Sequence, residues 1–310
     1  MPDLSNTLLY LDRNENSDSN LKEFIKGSLS SCVACLYPNY EQLTNILADV
    51  NGVQSDNIIL TSGCTEAINI AIRTFVGGLN KTLIRNNTYP YAVDQILNNT
   101  NKCLFYVGKE GIVAHKKEFI PNFIYLCNPN NPTGCVYTKN EIEQILRTYS
   151  DSIVFLDETY VDFIEYNCSD LISKYSNLII GRSFSKAWGC AGLRMGYIIS
   201  NSKFVTYMDK QRLKASINSV GVQVVIELLK NSSFVKESII NIKSHYEIIK
   251  NFITHNGGKI LSPNTTNFVY FESPQNLFAN KNCIIRDYKN GTFSVAIPSN
   301  KNEITRFLID

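Results

Sequence analysis

Short apolar runs alternate with amphipathic stretches along residues 57–199, and this alternation constrains the fold more than any other feature of the chain. The runs have the length of β-strands, and strands that alternate with helices favour a largely parallel sheet covered on both faces. In open sheets of this kind, ligands bind beyond the carboxyl ends of the strands. The predicted strands are residues 57–60, 81–85, 103–107, 123–127, 153–157, 178–180 and 197–199.

Helices are predicted between these strands, at residues 66–75, 91–98 and 139–149. Thr138 precedes the third helix and Glu141 follows three residues later, which is the spacing of a capping box. The sequence therefore predicts the α/β class, with a three-layer α/β/α large domain built around a mostly parallel sheet.

The pattern changes after about residue 220, where a second unit is predicted. Apolar residues from Val235 to Ile253 recur every three or four positions, as on one face of a helix, and Gly257-Gly258 provides the stop. Predicted strands at 268–271, 283–286 and 292–297 and a closing helix at 301–309 complete a smaller α+β domain. We expect a large domain at residues 38–220 and a small domain formed by residues 1–37 and 221–310.

Composition argues against two classes of partner. Lys and Arg total 30 against 28 Asp and Glu, with the signs interspersed, so no basic surface for nucleic acid is predicted. The apolar runs are far shorter than the roughly 20 residues of a membrane helix, and the N-terminus lacks a basic start and a long apolar stretch. We expect a soluble cytoplasmic protein that binds neither nucleic acid nor membrane.

The nine cysteines are scattered and odd in number, which fits a reducing compartment. Cys32 and Cys35 form one C-x-x-C, which could be a redox pair or half of a zinc site. No second pair or nearby histidine accompanies it, and the three histidines have no metal or triad spacing. No metal site is predicted.

A phosphate site is predicted at the strand ends. Gly63 ends one strand and begins a helix, whose backbone N–H groups and positive dipole end suit an anion. Ser183, Ser185 and Arg194 follow another strand and can add hydroxyl donors and a fixed positive charge to the same group.

Four further residues could serve a heterocyclic cofactor. Asp157, at the end of a central strand, is suited to keep a ring nitrogen protonated, and Asn131 and Tyr160 can donate to a ring oxygen. Lys186 becomes a nucleophile for a Schiff base if its pocket depresses its pKa. Each feature alone also has an ordinary explanation, as a helix cap, a turn or a solvated charge.

Three segments together resemble one family. They are residues 128–134 (NPNNPTG), 157–160 (DETY) and 183–197 (SFSKAWGCAGLRMGY), and a fourth, 11–16 (LDRNEN), lies near the start. They resemble the fold type I pyridoxal-phosphate enzymes, in the branch of histidinol-phosphate aminotransferases and threonine-phosphate decarboxylases. The resemblance runs over nearly the whole chain and implies pyridoxal 5′-phosphate as cofactor.

The resemblance also implies roles for individual residues. Lys186 would form the Schiff base and move a proton between the substrate Cα and the cofactor, Asp157 would pair with the ring nitrogen, and Asn131 and Tyr160 with the ring oxygen. Tyr37 would reach the phosphate of the neighbouring subunit, so a homodimer is implied. The remaining implied cofactor contacts are Tyr89 on the ring face and Cys64, Thr65, Ser183, Ser185 and Arg194 at the phosphate.

The substrate site departs from the family. Ser294 stands where an arginine that grips the substrate carboxylate is expected, and a hydroxyl lacks that charge-assisted recognition. Arg286 or Arg13 could replace it, the substrate could lack a carboxylate at that place, or the alignment could slip. We expect an aminotransferase acting on a small amine or amino acid, phosphorylated or not, with a decarboxylase of a similar amino acid or an inactive cofactor-binding regulator as alternatives.

Overall fold

The centre of the protein is a seven-stranded sheet. In this computed structural model, which describes residues 8–29, 35–114 and 119–309, five neighbouring strands of that sheet are parallel and only one strand runs antiparallel to its neighbours. The predicted mostly parallel sheet is therefore confirmed. In spatial order the strands are β2 (Ile58–Thr61), antiparallel β8 (Gly196–Ser200), β7 (Leu178–Ser183), β6 (Ile153–Asp157), β5 (Phe123–Cys127), β3 (Thr82–Arg85) and β4 (Cys103–Tyr106).

Helices cover both faces of this sheet, as the strand sequences require. Successive side chains of a strand point to opposite faces, and on β5 Ile124 and Leu126 join one buried cluster while Phe123 and Tyr125 join another. The helices on the second face are α3 (Gly63–Phe75), α4 (Pro90–Asn99) and α7 (Ser202–Asp209), and those contributing to the first include α2 (Glu41–Asn51), α6 (Lys139–Thr148) and α8 (Ser219–Lys230). The three-layer α/β/α architecture is confirmed.

A four-stranded antiparallel sheet forms the smaller α+β part. Its order is β12 (Arg286–Asp287), β13 (Thr292–Ala296), β10 (Phe268–Glu272) and β9 (Lys259–Ile260). The remaining elements are α1 (Ser19–Leu29), the short α5 (Gly111–Ala114), α9 (Ser233–His255), α10 (Lys301–Ile309) and a parallel pair of β1 (Leu9–Tyr10) with β11 (Cys283–Ile284).

The single strand predicted at residues 283–286 is wrong. The segment divides at Ile285 into β11, which pairs with β1 near the N-terminus, and β12, which pairs with β13. Pairing partners so distant in sequence leave no local pattern, so the apolar run alone could not show the break.

The predicted helix ends agree with their local chemistry. The Thr138 N–H donates to Glu141 Oε2 at 2.6 Å and the Glu141 N–H donates to Thr138 Oγ1 at 3.3 Å, so the capping box is confirmed. Gly257 has φ +81° after α9, and the Gly258 N–H returns to the Ile253 carbonyl at 2.9 Å. Left-handed backbone at this place favours glycine and ends the helix.

The division into domains stays a prediction, and its boundary at residue 220 falls in the first turn of α8. Over the described ranges, the helices are all too short or too polar to cross a membrane.

Candidate active site

One cavity of about 260 Å³ gathers most of the candidate residues at the carboxyl ends of β5, β6 and β7. Parallel strands bring their ends to one edge, so residues distant in sequence meet there. Tyr37 and Ser294 do not line this cavity; Tyr37 is 89% exposed and Ser294 is buried within β13. The candidates that do line it are Arg13, Cys64, Thr65, Tyr89, Asn131, Asp157, Tyr160, Ser183, Ser185, Lys186, Arg194 and Arg286.

Asp157 presents a buried, fully oriented carboxylate. Its Oδ2 accepts from the Tyr125 hydroxyl at 2.6 Å, and its Oδ1 accepts from the Thr159 N–H at 3.0 Å and from the Cys64 thiol at 3.4 Å. Burial raises the pKa of Tyr125 and of Cys64, so both stay protonated donors. These three hydrogen bonds offset the cost of burying the Asp157 carboxylate, which is 2% exposed.

Tyr125 was missed by sequence reasoning, although a weak signal exists. It lies two residues before Cys127 on β5, and Cys127 pairs directly with Asp157 on β6. Residues two apart on a strand share a face, so a buried hydroxyl at position 125 points to the side on which Asp157 lies.

Lys186 lines the cavity and is half-buried. Its Nζ donates to the backbone carbonyl of Arg13 at 2.8 Å and lies 5.9 Å from the centre of the Tyr160 ring. Burial lowers the pKa of Lys186 to about 8, and the positive charges of Arg194 and Arg286 add to this effect while Glu15 opposes it. A substantial neutral fraction near pH 8 makes the amine a competent nucleophile.

Tyr160 is 2% exposed, and its ring packs edge-on against Phe268 with centroids 5.4 Å apart. Burial raises the pKa of its phenol, which therefore stays protonated. The Asn14 side-chain amide donates to the phenol oxygen at 3.1 Å. Asn14 also lines the cavity and was missed by the sequence prediction of site residues.

A second group of cavity residues forms a cradle of anion donors. Arg194 has a left-handed backbone, and its Nη1 contacts Ser185 Oγ at 3.5 Å. Gly63, at the start of α3, has φ +74°, which favours glycine, and a Cβ there would lie 2.8 Å from Arg194 Nη2 and displace the guanidinium. Hydroxyls of Thr65, Ser183 and Ser185, a helix N-terminus and a guanidinium form the donor set that a phosphate dianion requires.

Glu158 and Arg182 link the strands that carry these groups. The Arg182 guanidinium donates to Glu158 Oε2 through Nε at 2.8 Å and Nη2 at 2.7 Å, and both side chains are buried. Glu158 follows Asp157, and Arg182 precedes Ser183. This ion pair therefore fixes the ends of β6 and β7 relative to each other.

Two further arginines line the cavity, one from the small sheet and one from the N-terminal segment. Arg286 lies directly opposite Ser294 across β12 and β13, and opposed residues of an antiparallel pair project to the same face. Its guanidinium lies 5.7 Å from the centre of the Tyr288 ring. Arg13 comes from the N-terminal segment, where it pairs with Asp12 at 3.8 Å.

The cysteine and histidine predictions are only partly covered by the described residues. Cys32 and His115 lie outside them, whereas Cys35 is exposed and, like the other described cysteines, free. Within residues 8–29, 35–114 and 119–309, no three histidine, cysteine or acidic side chains are grouped to hold a metal ion.

The family model for aminotransferase class I and II matches residues 5–289. The chain belongs to this family. A histidinol-phosphate aminotransferase of Caldanaerobacter subterraneus subsp. tengcongensis is 30% identical over 281 residues, which cover 84% of this chain and 79% of that protein. The predicted family, enzyme class and cofactor, a pyridoxal-phosphate-dependent aminotransferase, are confirmed at this level.

Solved structures confirm the fold. The histidinol-phosphate aminotransferase of Sinorhizobium meliloti, in complex with pyridoxal-5′-phosphate, superimposes with a TM-score of 0.86 at 20% identity over 98% of this chain and 90% of that one. The L-threonine-O-3-phosphate decarboxylase of Porphyromonas gingivalis gives 0.79 at 23% identity over 96% and 98%. The expected fold type I is therefore confirmed, and the two activities share this fold.

Proposed function

We propose that this protein transfers the amino group of a small, anionic amine or amino acid with pyridoxal phosphate held on Lys186. The observation that carries the proposal is the meeting of Lys186, Asp157 and the phosphate cradle in one cavity. A nucleophile, a buried carboxylate and an anion site are the three elements that this cofactor requires of its protein.

The cavity fits the cofactor along its whole length. Asp157 would hold the ring nitrogen, Asn131 and Tyr160 the ring oxygen, and Tyr89 the ring face. The phosphate would lie among the residues of the cradle, which are Cys64, Thr65, Ser183, Ser185 and Arg194. When bound, pyridoxal phosphate supplies an aldehyde that condenses with amines and a protonated ring that withdraws electrons from the substrate Cα.

The protein's own groups then bind, orient and move protons. Asp157 would face the ring nitrogen with its oxygens oriented by Tyr125, Thr159 and Cys64, and a carboxylate there would favour the protonated nitrogen. Lys186, with its pKa lowered to about 8, carries the proton to and from the substrate Cα. The bond held perpendicular to the ring is the bond that breaks, so substrate orientation selects the reaction.

The charge of the cavity indicates the substrate class. Arg13 and Arg286 line it in addition to the arginine of the phosphate cradle, so a second anionic group can be bound near Lys186. Histidinol phosphate, named in the relatives, carries both an amine and a phosphate and is the first substrate to test.

The proposal includes a cytoplasmic homodimer. Free thiols along the chain suit a reducing compartment. Tyr37 is almost fully exposed and does not line the cavity of its own chain, which supports a role toward a neighbouring subunit.

An amine-donor screen tests the function. The purified protein, loaded with pyridoxal phosphate, is mixed with histidinol phosphate or with single amino acids and a set of 2-oxo acids. Transfer of the amino group to the oxo acid supports an aminotransferase. Release of carbon dioxide without amino transfer would establish the decarboxylase instead, and the absence of any spectral change with every amine would favour a regulator.

A further inference from the structure

We propose that Asn14 is a positioning residue that aims the hydroxyl proton of Tyr160 at the cofactor's ring oxygen. This inference rests on the proposed function, because it assigns a task to one residue of the same site. Asn14 makes no use of its side chain as an acid or base; it acts only through the hydrogen bond to Tyr160.

The contact fixes the direction of one proton. The Asn14 amide nitrogen lies 3.1 Å from the Tyr160 oxygen, and an amide NH₂ group donates but cannot accept. The Tyr160 hydroxyl must therefore direct its own proton elsewhere. Among the described residues the phenol has no acceptor for that proton, and Tyr160 lines the same cavity as Lys186 and Asn131. The hydroxyl proton of Tyr160 is thus free to point toward a ligand in the cavity.

Asn14 is itself held rigidly. Its backbone has φ +52°, a left-handed conformation that asparagine adopts more readily than most residues. The Asn267 amide donates to the Asn14 carbonyl at 2.9 Å, and the Ala296 N–H donates to the Leu11 carbonyl at 2.8 Å. Two residues after Asn14, the Asn16 amide donates to the Ala187 carbonyl at 2.8 Å. The segment is therefore tied to the site on both sides of residue 14.

The aimed proton has a chemical consequence. A hydrogen bond donated to the ring oxygen stabilises the negative charge there, and this lowers the affinity for a proton of the nitrogen that joins Lys186 to the cofactor. Losing the bond should raise the pH at which that nitrogen titrates. The loss of one hydrogen bond to a charged oxygen should raise the titration midpoint of this nitrogen by about one to two pH units.

Asn14→Asp is the sharpest perturbation. Aspartate has nearly the same shape and also tolerates a left-handed backbone, but its carboxylate accepts where the amide donated. The Tyr160 proton would then turn to the new carboxylate and away from the cofactor. The variant also adds a negative charge, so a control must separate this charge from the hydrogen bond.

The test is a pH titration of the visible absorption of the holoenzyme, which needs no substrate. We expect Asn14→Asp to raise the midpoint by about one to two pH units, and Tyr160→Phe to shift it in the same direction. In protein that also carries Tyr160→Phe, most of the shift caused by Asn14→Asp should disappear, because the hydroxyl through which Asn14 acts is absent. Asn14→Gly, which tolerates the backbone without adding charge, should give a smaller shift of the same sign.

Each outcome decides the inference. An unchanged midpoint in Asn14→Asp, or an equal shift with and without the Tyr160 hydroxyl, would overturn it, since the latter is what charge alone produces. If Asn14→Asp does not fold, Asn14→Gly with and without Tyr160→Phe decides the question in the same way. Wild-type protein that takes up no pyridoxal phosphate would instead defeat the proposed function, so the two failures are distinguishable.

Discussion

Replacing Tyr125 by Phe isolates one hydrogen bond to the central carboxylate. The ring stays buried in β5, and only the hydroxyl 2.6 Å from Asp157 Oδ2 is lost. A hydrogen bond to a charged group contributes about 1.5 to 3 kcal/mol, and at 2% exposure Asp157 cannot replace it fully with water. We therefore expect the free energy of unfolding of the cofactor-free protein to fall by about 1.5 to 3 kcal/mol at pH 7.

Tyr106→Phe is the matched control, because Tyr106 is equally buried and its hydroxyl meets the neutral Tyr137 hydroxyl at 3.3 Å. A neutral bond contributes about 0.5 to 1.5 kcal/mol, so this variant should lose less. Urea unfolding, followed by fluorescence and circular dichroism at one protein concentration, measures both losses. A loss in Tyr125→Phe no larger than that in the control would refute the view that the Tyr125 hydroxyl stabilises Asp157 more strongly than it would a neutral partner.

Three further changes test the site. Attachment of pyridoxal phosphate to the apoprotein should accelerate as pH rises through about 8, where Lys186 becomes neutral; stopped-flow absorbance that shows a midpoint near the ordinary lysine value of about 10.4 would contradict this. Asp157→Ala should keep a bound cofactor but slow turnover at least a hundredfold, to order of magnitude, and unaltered rates would reject the role of the carboxylate. Ser294→Arg should tighten carboxylate-bearing substrates about tenfold if position 294 can reach the ligand beside Arg286, and an unchanged affinity profile by titration would show that it cannot.

The sequence predicts the strands of the main sheet, and the polar residues that share a cavity at their ends, for a physical reason. Strands of the main sheet are buried on both faces, so their apolar runs are nearly continuous. A polar residue that closes such a run therefore marks a strand end, and parallel strands end together. Asp157 and Ser183 were found in this way, because each closes such a run.

What escaped prediction depends on contacts between distant segments. Asn14 reaches Tyr160 across 146 residues, and Tyr125 reaches Asp157 from a neighbouring strand. Cys64 was expected only at the phosphate, yet its thiol lies 3.4 Å from Asp157. A side chain in the first turn of a helix can face either end of a cavity, and only the packing of the helix on the sheet selects the direction.

The buried ion pair of Glu158 and Arg182 helps to fix the distance between two groups proposed to hold the ligand. Each partner is the immediate neighbour of a cavity residue: Glu158 follows Asp157, proposed to hold the cofactor ring, and Arg182 precedes Ser183, proposed to hold the phosphate. The guanidinium–carboxylate contact therefore adds to the backbone hydrogen bonds that hold the ends of β6 and β7 together. A mutation that removes this ion pair should allow the two strand ends to move. It should therefore change the affinity for the cofactor and the alignment of the cofactor ring together.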